Sequence, residues 1–345
     1  MSLRLPAGGQ IRGQRGLQAS QHHKLPHHFI DDYLLLHSST RCADACAQAS
    51  GNYNAEVDTG SHTHIDSLGG RPSAHSSGIN FAMSGSSLDQ TLSFPNSHGE
   101  RLSAKFVDAG SKDIVIFCHG YASSKNGFLF PRLAEELASR GKSSLRFDFA
   151  GNGESEGTFS FGNYFREVED LRAAVGFARD TLKLNVGAIV GHSKGANVVL
   201  LYASRYDDVP HVVSVAGRGI MSRGIKKRLG EDVLQRLDQE GVIEQEASSS
   251  SGRRIKYLLT KESVDERMKL DMLGEAAKIQ AHVLILHGSS DNVIPVEDAH
   301  MLASRIPQHT LCVVEGADHN FRQPVVADMV IQRIAEHLAS TVSQP

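Results

Sequence analysis

The sequence predicts an α/β protein with a mostly parallel central sheet flanked by helices. From residue 88 onward, short apolar runs that read as strands alternate with amphipathic segments that read as helices. Some runs, such as "DIVIFC" (113–118) and "HVLILHG" (282–288), are continuously apolar, as strands covered on both faces of a sheet are. This alternation is typical of βαβ crossovers, which join parallel strands.

The elements follow one another regularly along the chain. "DQTLSFPN" and "RLSAKFVD" predict two antiparallel strands around a "SHGE" turn. "FLFPRLAEELASRG" predicts a helix that stops at Gly141. The later strands are "SSLRFDF", "NVGAIV", "HVVSVAG", "HVLILHG" and "HTLCVVEG". The later helices are "YFREVEDLRAAVGFARD", "ANVVLLYASRY", "PVEDAHMLASRI" and "VVADMVIQRIAEHL".

One interval, residues 218–280, interrupts the alternation and adds no obvious strand. "GIKKRLGEDVLQRLDQEG" places its apolar residues on one helical face, and "EASSSSGRR" reads as an exposed loop. We therefore expect a small helical lid, inserted after a late strand. Its natural position is over the carboxyl ends of the strands, where open α/β sheets bind ligands.

Residues 1–87 have a different composition. Gly, Ser and His dominate stretches such as 51–78 without sustained periodicity, which predicts a disordered extension ahead of a domain at 88–340. Residues 1–30 contain four basic residues and no acid. That pattern is compatible with a plastid or mitochondrial transit peptide, and a plain cytoplasmic tail is the alternative.

Composition excludes several classes of protein. A net charge of −3 gives no general attraction to nucleic acid, and no apolar run approaches the ~18 residues of a membrane span. Cys118 and Cys312 lie in apolar runs and read as buried. Cys42 and Cys46 have too few neighbouring ligands at recognised spacings for zinc. We expect a soluble protein in a reducing compartment, with no disulfide, metal or nucleic-acid partner.

The pentapeptide Gly191-His192-Ser193-Lys194-Gly195 matches the nucleophile elbow, G-x-S-x-G. It directly follows the apolar strand "VGAIV" and opens a helical pattern, which is the strand–turn–helix context that the elbow needs. Bulk at either glycine would collide with neighbouring backbone in so tight a turn. This context favours a nucleophilic Ser193 over a serine that only caps a helix.

A nucleophilic serine needs a general base, and the base needs an acid to orient it. His319, in "CVVEGADHNF", and Asp291, in "LILHGSSDNVIP", each follow a late strand and are expected at the same edge of the sheet. Asp318 is the alternative acid, but adjacent side chains rarely orient an imidazole. Asp298 reads as a solvated helix residue. Structural roles are favoured for the remaining candidates, His192, His287, His300 and His337.

An oxyanion hole needs two preorganised N–H donors. The backbone N–H of Lys194 follows the nucleophile and is the first. The second is expected from the loop "HGYASS" after the strand at 113–118, where Gly120 permits close approach and the N–H of Tyr121 is the natural donor.

These motifs together resemble the α/β-hydrolase superfamily. "FCHGYASSKNGFLFPRLAEELASRGKSSLRFDFAGNGESEG", "GHSKGANVVLLYAS", "HGSSDNVIPVEDA" and "EGADHNF" occur in the family's order over residues 88–340. The chain is similar to the serine-aminopeptidase-like plant hydrolases and to bacterial cinnamoyl and feruloyl esterases. The resemblance implies the α/β-hydrolase fold and the triad Ser193, Asp291 and His319. It also implies an oxyanion hole at Tyr121 and Lys194.

The same resemblance implies a serine hydrolase without cofactor or metal that cleaves a small acyl or aryl ester through an acyl-enzyme. The alternatives are a thioesterase, an acylglycerol lipase, an aminopeptidase, and a small-molecule receptor with slow turnover on the same fold.

Lys194 departs from the bacterial esterases, which tend to carry an uncharged residue there. A cation at a helix N-terminus is unfavourable unless it forms an ion pair with an acid. Glu154 and Glu156, in "FDFAGNGESEG", are candidates, and an anionic substrate group is the alternative partner. The glycines of that loop miss the G-x-G-x-x-G spacing of phosphate loops, so we interpret it as a structural turn with Asp148 as a framework residue.

Overall fold

A computed structural model describes residues 89–248, 252 and 254–340. The predictions for residues 1–87, including the transit peptide and the Cys42 and Cys46 pair, lie outside the described residues. In the described part, no helix is long and apolar enough to cross a membrane.

The strands of the described residues form one large sheet and one hairpin. Their bounds are β1 Asp89–Pro95, β2 Arg101–Val107, β3 Asp113–Cys118, β4 Ser143–Phe147, β5 Asn185–His192, β6 His211–Val215, β7 Val242–Ser248, β8 Arg254–Thr260, β9 His282–Gly288 and β10 His309–Val314. Eight of them form the central sheet in the order β1-β2-β4-β3-β5-β6-β9-β10. β1–β2 and β2–β4 pair antiparallel, and every later pair is parallel. The α/β prediction and the opening antiparallel pair are confirmed.

The helices cover both faces of this sheet. Their bounds are α1 Phe130–Ser139, α2 Tyr164–Asp180, α3 Lys194–Tyr206, α4 Ile225–Leu229, α5 Val233–Glu240, α6 Lys261–Lys269, α7 Met272–Ala276, α8 Glu297–Ala303 and α9 Pro324–Ser340. Residues of α1 and α9 pack in one apolar layer with Val115 and Phe117 of β3. Residues of α2, α3 and α8 pack in the other layer with Ile114 and Ile116. Alternate residues of a strand point to opposite faces, so this strand is apolar throughout.

The interval 218–280 differs from the purely helical lid predicted for it. It contains α4 to α7, but also an antiparallel hairpin of β7 and β8. The hairpin strands alternate buried and exposed residues, with Ile243 and Ala247 buried on β7 and Tyr257 and Leu259 buried on β8. The serines and the glycine of residues 249–253 suggested an exposed loop. The segments before and after them alternate apolar and polar residues, which is the period of strands.

This insertion packs on loops that leave the central sheet. Its buried apolar residues, including Val233, Leu237 and Leu259, join Ala122 and Phe161 in a third apolar cluster. Ala122 lies in the loop after β3, so the insertion sits beside the predicted oxyanion loop.

Candidate active site

Ser193 occupies a sharp turn between β5 and α3. Its backbone has φ 56° and ψ −117°, a conformation that L-residues rarely adopt. A Cβ on Gly191 would lie 2.2 Å from the Gly195 carbonyl oxygen, and one on Gly195 would lie 2.1 Å from the Cys118 carbonyl oxygen. Both approaches are closer than real Cβ contacts allow, so the turn requires glycine at both positions, as predicted.

Three predicted residues meet at the carboxyl edge of the sheet. His319 follows β10, and its Nε2 lies 3.0 Å from Ser193 Oγ. Its Nδ1 lies 2.7 Å from Oδ2 of Asp291, which follows β9. An Nδ1–H donor to the carboxylate leaves Nε2 free to accept the serine proton, which is the tautomer a general base needs.

The environment of Asp291 keeps it ionised. Its Oδ1 accepts hydrogen bonds from the backbone N–H groups of Val293 and Ile294, each at 2.8 Å. Burial alone would raise the pKa of Asp291, but hydrogen bonds from His287 and His319 lower it well below its usual range. His287 Nε2 lies 3.3 Å from Asp291 Oδ2, a contact that sequence reasoning missed because His287 lies inside β9.

The alternative acid, Asp318, takes no part in this chain of contacts. Its Oδ1 accepts the backbone N–H of Arg322, and its Oδ2 lies 3.5 Å from the Arg322 guanidinium. The geometry thus favours Asp291, as the sequence did. The interpretation of Asp298 as a solvated residue was wrong. Asp298 is fully buried, and its carboxylate accepts hydrogen bonds from the Gly219 N–H and from the Arg223 guanidinium. These bonds hold the start of the insertion in place.

His192 lies under the turn, as expected. Its ring stacks on Phe128 with centroids 4.0 Å apart, and its Nε2 donates to the His319 carbonyl at 3.0 Å. Burial lowers the pKa of His192 to about 3, so the ring is neutral. His192 therefore helps to hold the segment that carries His319.

The residues predicted to supply the oxyanion hole lie near Ser193. Lys194 begins α3, so its N–H belongs to the first turn, where helix N–H groups have no partner within the helix. Gly120 lies so close to the elbow that a Cβ there would be 3.2 Å from Ser193 Cβ. The next residue in the loop, Tyr121, lines the same cavity as Ser193.

The acid that pairs with Lys194 is Glu167, so the prediction of Glu154 or Glu156 was wrong. Lys194 Nζ donates to Glu167 Oε1 at 2.7 Å, and both side chains are buried. Burial raises the pKa of Glu167 to about 7, against the lowering effect of Lys194. Glu154 instead accepts from Lys125, and Glu156 contacts Arg101, because the turn at 151–157 directs them away from α3.

Asp148 organises that turn, in agreement with its interpretation as a framework residue. It is fully buried, and its oxygens accept the Lys125 backbone N–H, the Lys125 ammonium and the Glu154 N–H. A Cβ on Gly153 would lie 2.2 Å from the Asp148 carboxylate, so this glycine allows the carboxylate to be enclosed.

The cavity at Ser193 is small and basic. Its volume is about 30 Å³, and the residues that line it include Arg218, Arg228 and Arg267. Sequence reasoning missed these arginines because all three belong to the insertion. Among the described residues, no group of three or more His, Cys, Asp or Glu side chains is arranged to hold a metal ion.

The fold and this arrangement of side chains define a hydrolase of the serine type. A family model for the α/β-hydrolase fold matches residues 113–240. The chain has the α/β-hydrolase fold and is a serine hydrolase, as predicted.

The proteins similar to this chain include a lipase and a thioesterase. The monoacylglycerol lipase of Mycolicibacterium smegmatis is 24% identical over 257 residues, which cover 67% of this chain and 91% of the lipase. The bovine mitochondrial palmitoyl-protein thioesterase ABHD10 is 22% identical over 232 residues, 65% of this chain and 72% of the thioesterase.

A solved structure of similar fold is Est1E from Butyrivibrio proteoclasticus with bound ferulic acid. Its TM-score is 0.62 at 20% identity, and the match covers 73% of this chain and all of Est1E. The similarity to a feruloyl-binding esterase was expected from the sequence. The narrower grouping with plant serine-aminopeptidase-like hydrolases stays a prediction.

Proposed function

We propose that the chain cleaves a small carboxylic ester through a covalent acyl-enzyme on Ser193. The serine Oγ attacks the ester carbonyl while His319 Nε2 takes its proton. The N–H groups of Tyr121 and Lys194 stabilise the negative oxygen of the tetrahedral intermediate. His319 then protonates the leaving alcohol, and the acyl group remains on Ser193.

Deacylation uses the same residues. His319 removes a proton from water, the resulting hydroxide attacks the acyl carbonyl, and Ser193 leaves with the proton returned by His319. Asp291 stabilises the imidazolium in both halves of the reaction. Every catalytic group in these reaction steps belongs to the chain, so the mechanism calls on no cofactor.

The observation that carries the proposal is the continuous chain of contacts from Ser193 Oγ to His319 Nε2, at 3.0 Å, and from His319 Nδ1 to Asp291, at 2.7 Å. A serine that only caps a helix has no need of an imidazole and a buried carboxylate in line with its hydroxyl. A thioester is the second candidate substrate, supported by the palmitoyl-protein thioesterase among the relatives.

The test is turnover of short-chain p-nitrophenyl esters and matched thioesters by the full chain. We expect Ser193→Ala and His319→Gln to lower kcat about ten-thousandfold or more, because triad members act as a unit. His300→Gln, which changes an exposed histidine of α8, is the matched control and keeps the wild-type rate. Stoichiometric ligand binding without turnover would instead support a receptor.

A further inference from the structure

Three arginines of the Ser193 cavity have no role in the proposed mechanism. Arg218 and Arg267 are only 7% and 6% exposed, whereas Arg228 lies exposed on α4. All three line the cavity that contains Ser193, and none of the acidic side chains that the structure describes does. The cavity therefore carries positive charge beside the proposed nucleophile.

These guanidinium groups contact neutral partners. Arg218 Nη2 donates to the Val293 carbonyl at 3.0 Å. Arg267 donates to the carbonyls of Met221 and Arg223, at 3.0 and 2.8 Å. Arg228 lies over the Tyr121 ring, 4.8 Å from its centroid. Within the part of the chain that the structure describes, none of the three forms an ion pair with a carboxylate.

A buried cation without a counter-ion is destabilised, and an anion that enters the cavity relieves this. Burial lowers the pKa of Arg218 to about 10, and the charge of Arg267 adds to that effect. Asp298 acts on Arg218 in the opposite direction, but its carboxylate is already held by Arg223 at 2.5 Å and by the Gly219 N–H.

The positive charge extends outward from the cavity. A cleft of about 440 Å³ shares Arg218 and Val293 with it. Its lining also includes Lys226, Lys227 and the ion-paired Arg223, together with one acid, Asp291. Residues 218–228 contain five basic residues and no acid. A basic approach of this kind raises the local concentration of anionic substrates.

We propose that the substrate carries an anionic oxyacid group, a carboxylate or a phosphate, which binds Arg218, Arg228 and Arg267 while the ester carbonyl lies at Ser193. This inference rests on the proposed function and names its substrate class. The planar donors of a guanidinium match either oxyacid in a bidentate manner. Lys194 is not the receiving cation, because its ammonium is paired with Glu167.

The size of the cavity adds a condition. About 30 Å³ is too small for a carboxylate or a phosphate, so binding requires a lining side chain to move, and Arg228 is the exposed one of the three arginines.

The test compares three p-nitrophenyl esters of similar size: the monoester of adipic acid with a free carboxylate, its neutral terminal amide, and a phosphonate-terminated counterpart. We expect kcat/KM to favour an anionic ester over the amide about tenfold or more at low salt, and the preference to shrink as salt is added. The ratio falls about tenfold in Arg228→Gln and in Arg267→Gln. It stays at the wild-type value in Arg236→Gln, which removes an arginine of α5 outside the cavity.

Each outcome decides the inference. The better of the two anionic esters shows whether the carboxylate or the phosphate is preferred. If the ester with the neutral terminal amide is cleaved as fast as both anionic esters, the inference is overturned and the proposed function stands. Cleavage of none of the esters, with Ser193 unreactive, overturns the proposed function and this inference with it. If Arg267→Gln does not fold, the exposed Arg228→Gln decides.

Discussion

Ser193 is held in a rare backbone conformation by residues that touch it on both sides. A positive φ in a non-glycine residue costs about 1–3 kcal/mol, and it persists only where the surroundings enforce it. Here the Ser193 N–H donates to the Val215 carbonyl at 2.9 Å, and the Ser193 carbonyl accepts the Ala196 N–H at 3.0 Å. The serine hydroxyl is thereby presented to His319.

Lys194 and Glu167 form a buried ion pair directly behind this turn. We predict that Glu167→Gln lowers the free energy of unfolding by about 3 kcal/mol, because it leaves a buried ammonium without its counter-charge. Urea denaturation at pH 8 measures this, since burial raises the pKa of Glu167 to about 7 and the carboxylate is ionised there. Glu169→Gln, on the exposed side of α2, is the matched control and changes stability little. An equal loss in the two variants would contradict the account.

The sequence was sufficient for the residues of the proposed triad, because each lies in a short motif directly after a predicted strand. It was insufficient for the partner of Lys194. Glu167 lies 27 residues earlier, on a helix whose rotation about its axis decides which acid faces α3. Glu154 and Glu156 were closer to a recognised loop, but the turn around Asp148 directs them elsewhere.

At the scale of elements, the hairpin β7–β8 is connected to the predicted oxyanion loop. The Tyr121 hydroxyl donates to the Tyr257 hydroxyl at 2.9 Å, and the Phe159 ring contacts both tyrosines. Tyr257 belongs to β8, and Tyr121 follows β3. The insertion thus contacts the loop whose Tyr121 N–H is proposed to stabilise the oxyanion.

We predict that Tyr257→Phe lowers kcat about twofold to tenfold. The variant removes one hydrogen bond and keeps the aromatic packing, so the loop loses positional restraint without a cavity. Steady-state kinetics on a p-nitrophenyl ester separates kcat from KM. Tyr206→Phe, on α3, serves as the control. An unchanged kcat with a lower unfolding free energy would mean that the hairpin only packs on the loop.

Element type was predictable from periodicity wherever an element lies in the central sheet. The hairpin was missed because the sequence between its strands, residues 249–253, is rich in serine, and its strands carry glutamate and lysine on the exposed side. Only the alternation of Ile243 and Ala247, and of Tyr257 and Leu259, marks it as strand. Two buried positions per strand are a weak signal beside a strongly polar segment.

At the scale of the molecule, the parallel sheet brings distant segments together. β3, β5, β9 and β10 all end at one edge, and the loops that follow them carry Tyr121, Ser193, Asp291 and His319. Parallel strands place their carboxyl ends at the same edge, which is why the loops that follow predicted strands were expected to meet there. The arginines were not, because the path of the insertion over that edge does not follow from its sequence pattern.

Buried and half-buried histidines make the stability of the molecule depend on pH. Burial lowers the pKa of His192 to about 3 and of His211 to about 4, and it also lowers the pKa of His119 and His337. The unfolded chain binds protons at these residues near pH 6.5, where the folded chain does not. The free energy of unfolding therefore falls as the pH drops below 6.5.

Glu167 acts in the opposite sense. Because burial raises the pKa of Glu167 to about 7, the folded chain binds a proton there between pH 7 and 4.5, where the unfolded chain does not. This proton binding offsets part of the loss in unfolding free energy. Burial also raises the pKa of Asp170. Four histidines outweigh these two carboxylates, so we predict a lower free energy of unfolding at pH 5 than at pH 7.5, measured by urea denaturation. His211→Gln reduces the difference, and His300→Gln does not. Equal or greater stability at pH 5 would contradict this prediction.

The central claim is that Ser193 is an activated nucleophile. The most direct measurement is treatment of the full chain with a fluorophosphonate probe, with the labelled peptide mapped by mass spectrometry in the wild type and in Ser193→Ala. The account predicts stoichiometric labelling at Ser193 that is absent in the Ser193→Ala chain and strongly slowed in His319→Gln. A folded wild-type chain that remains unlabelled, or a label on another residue, would contradict it.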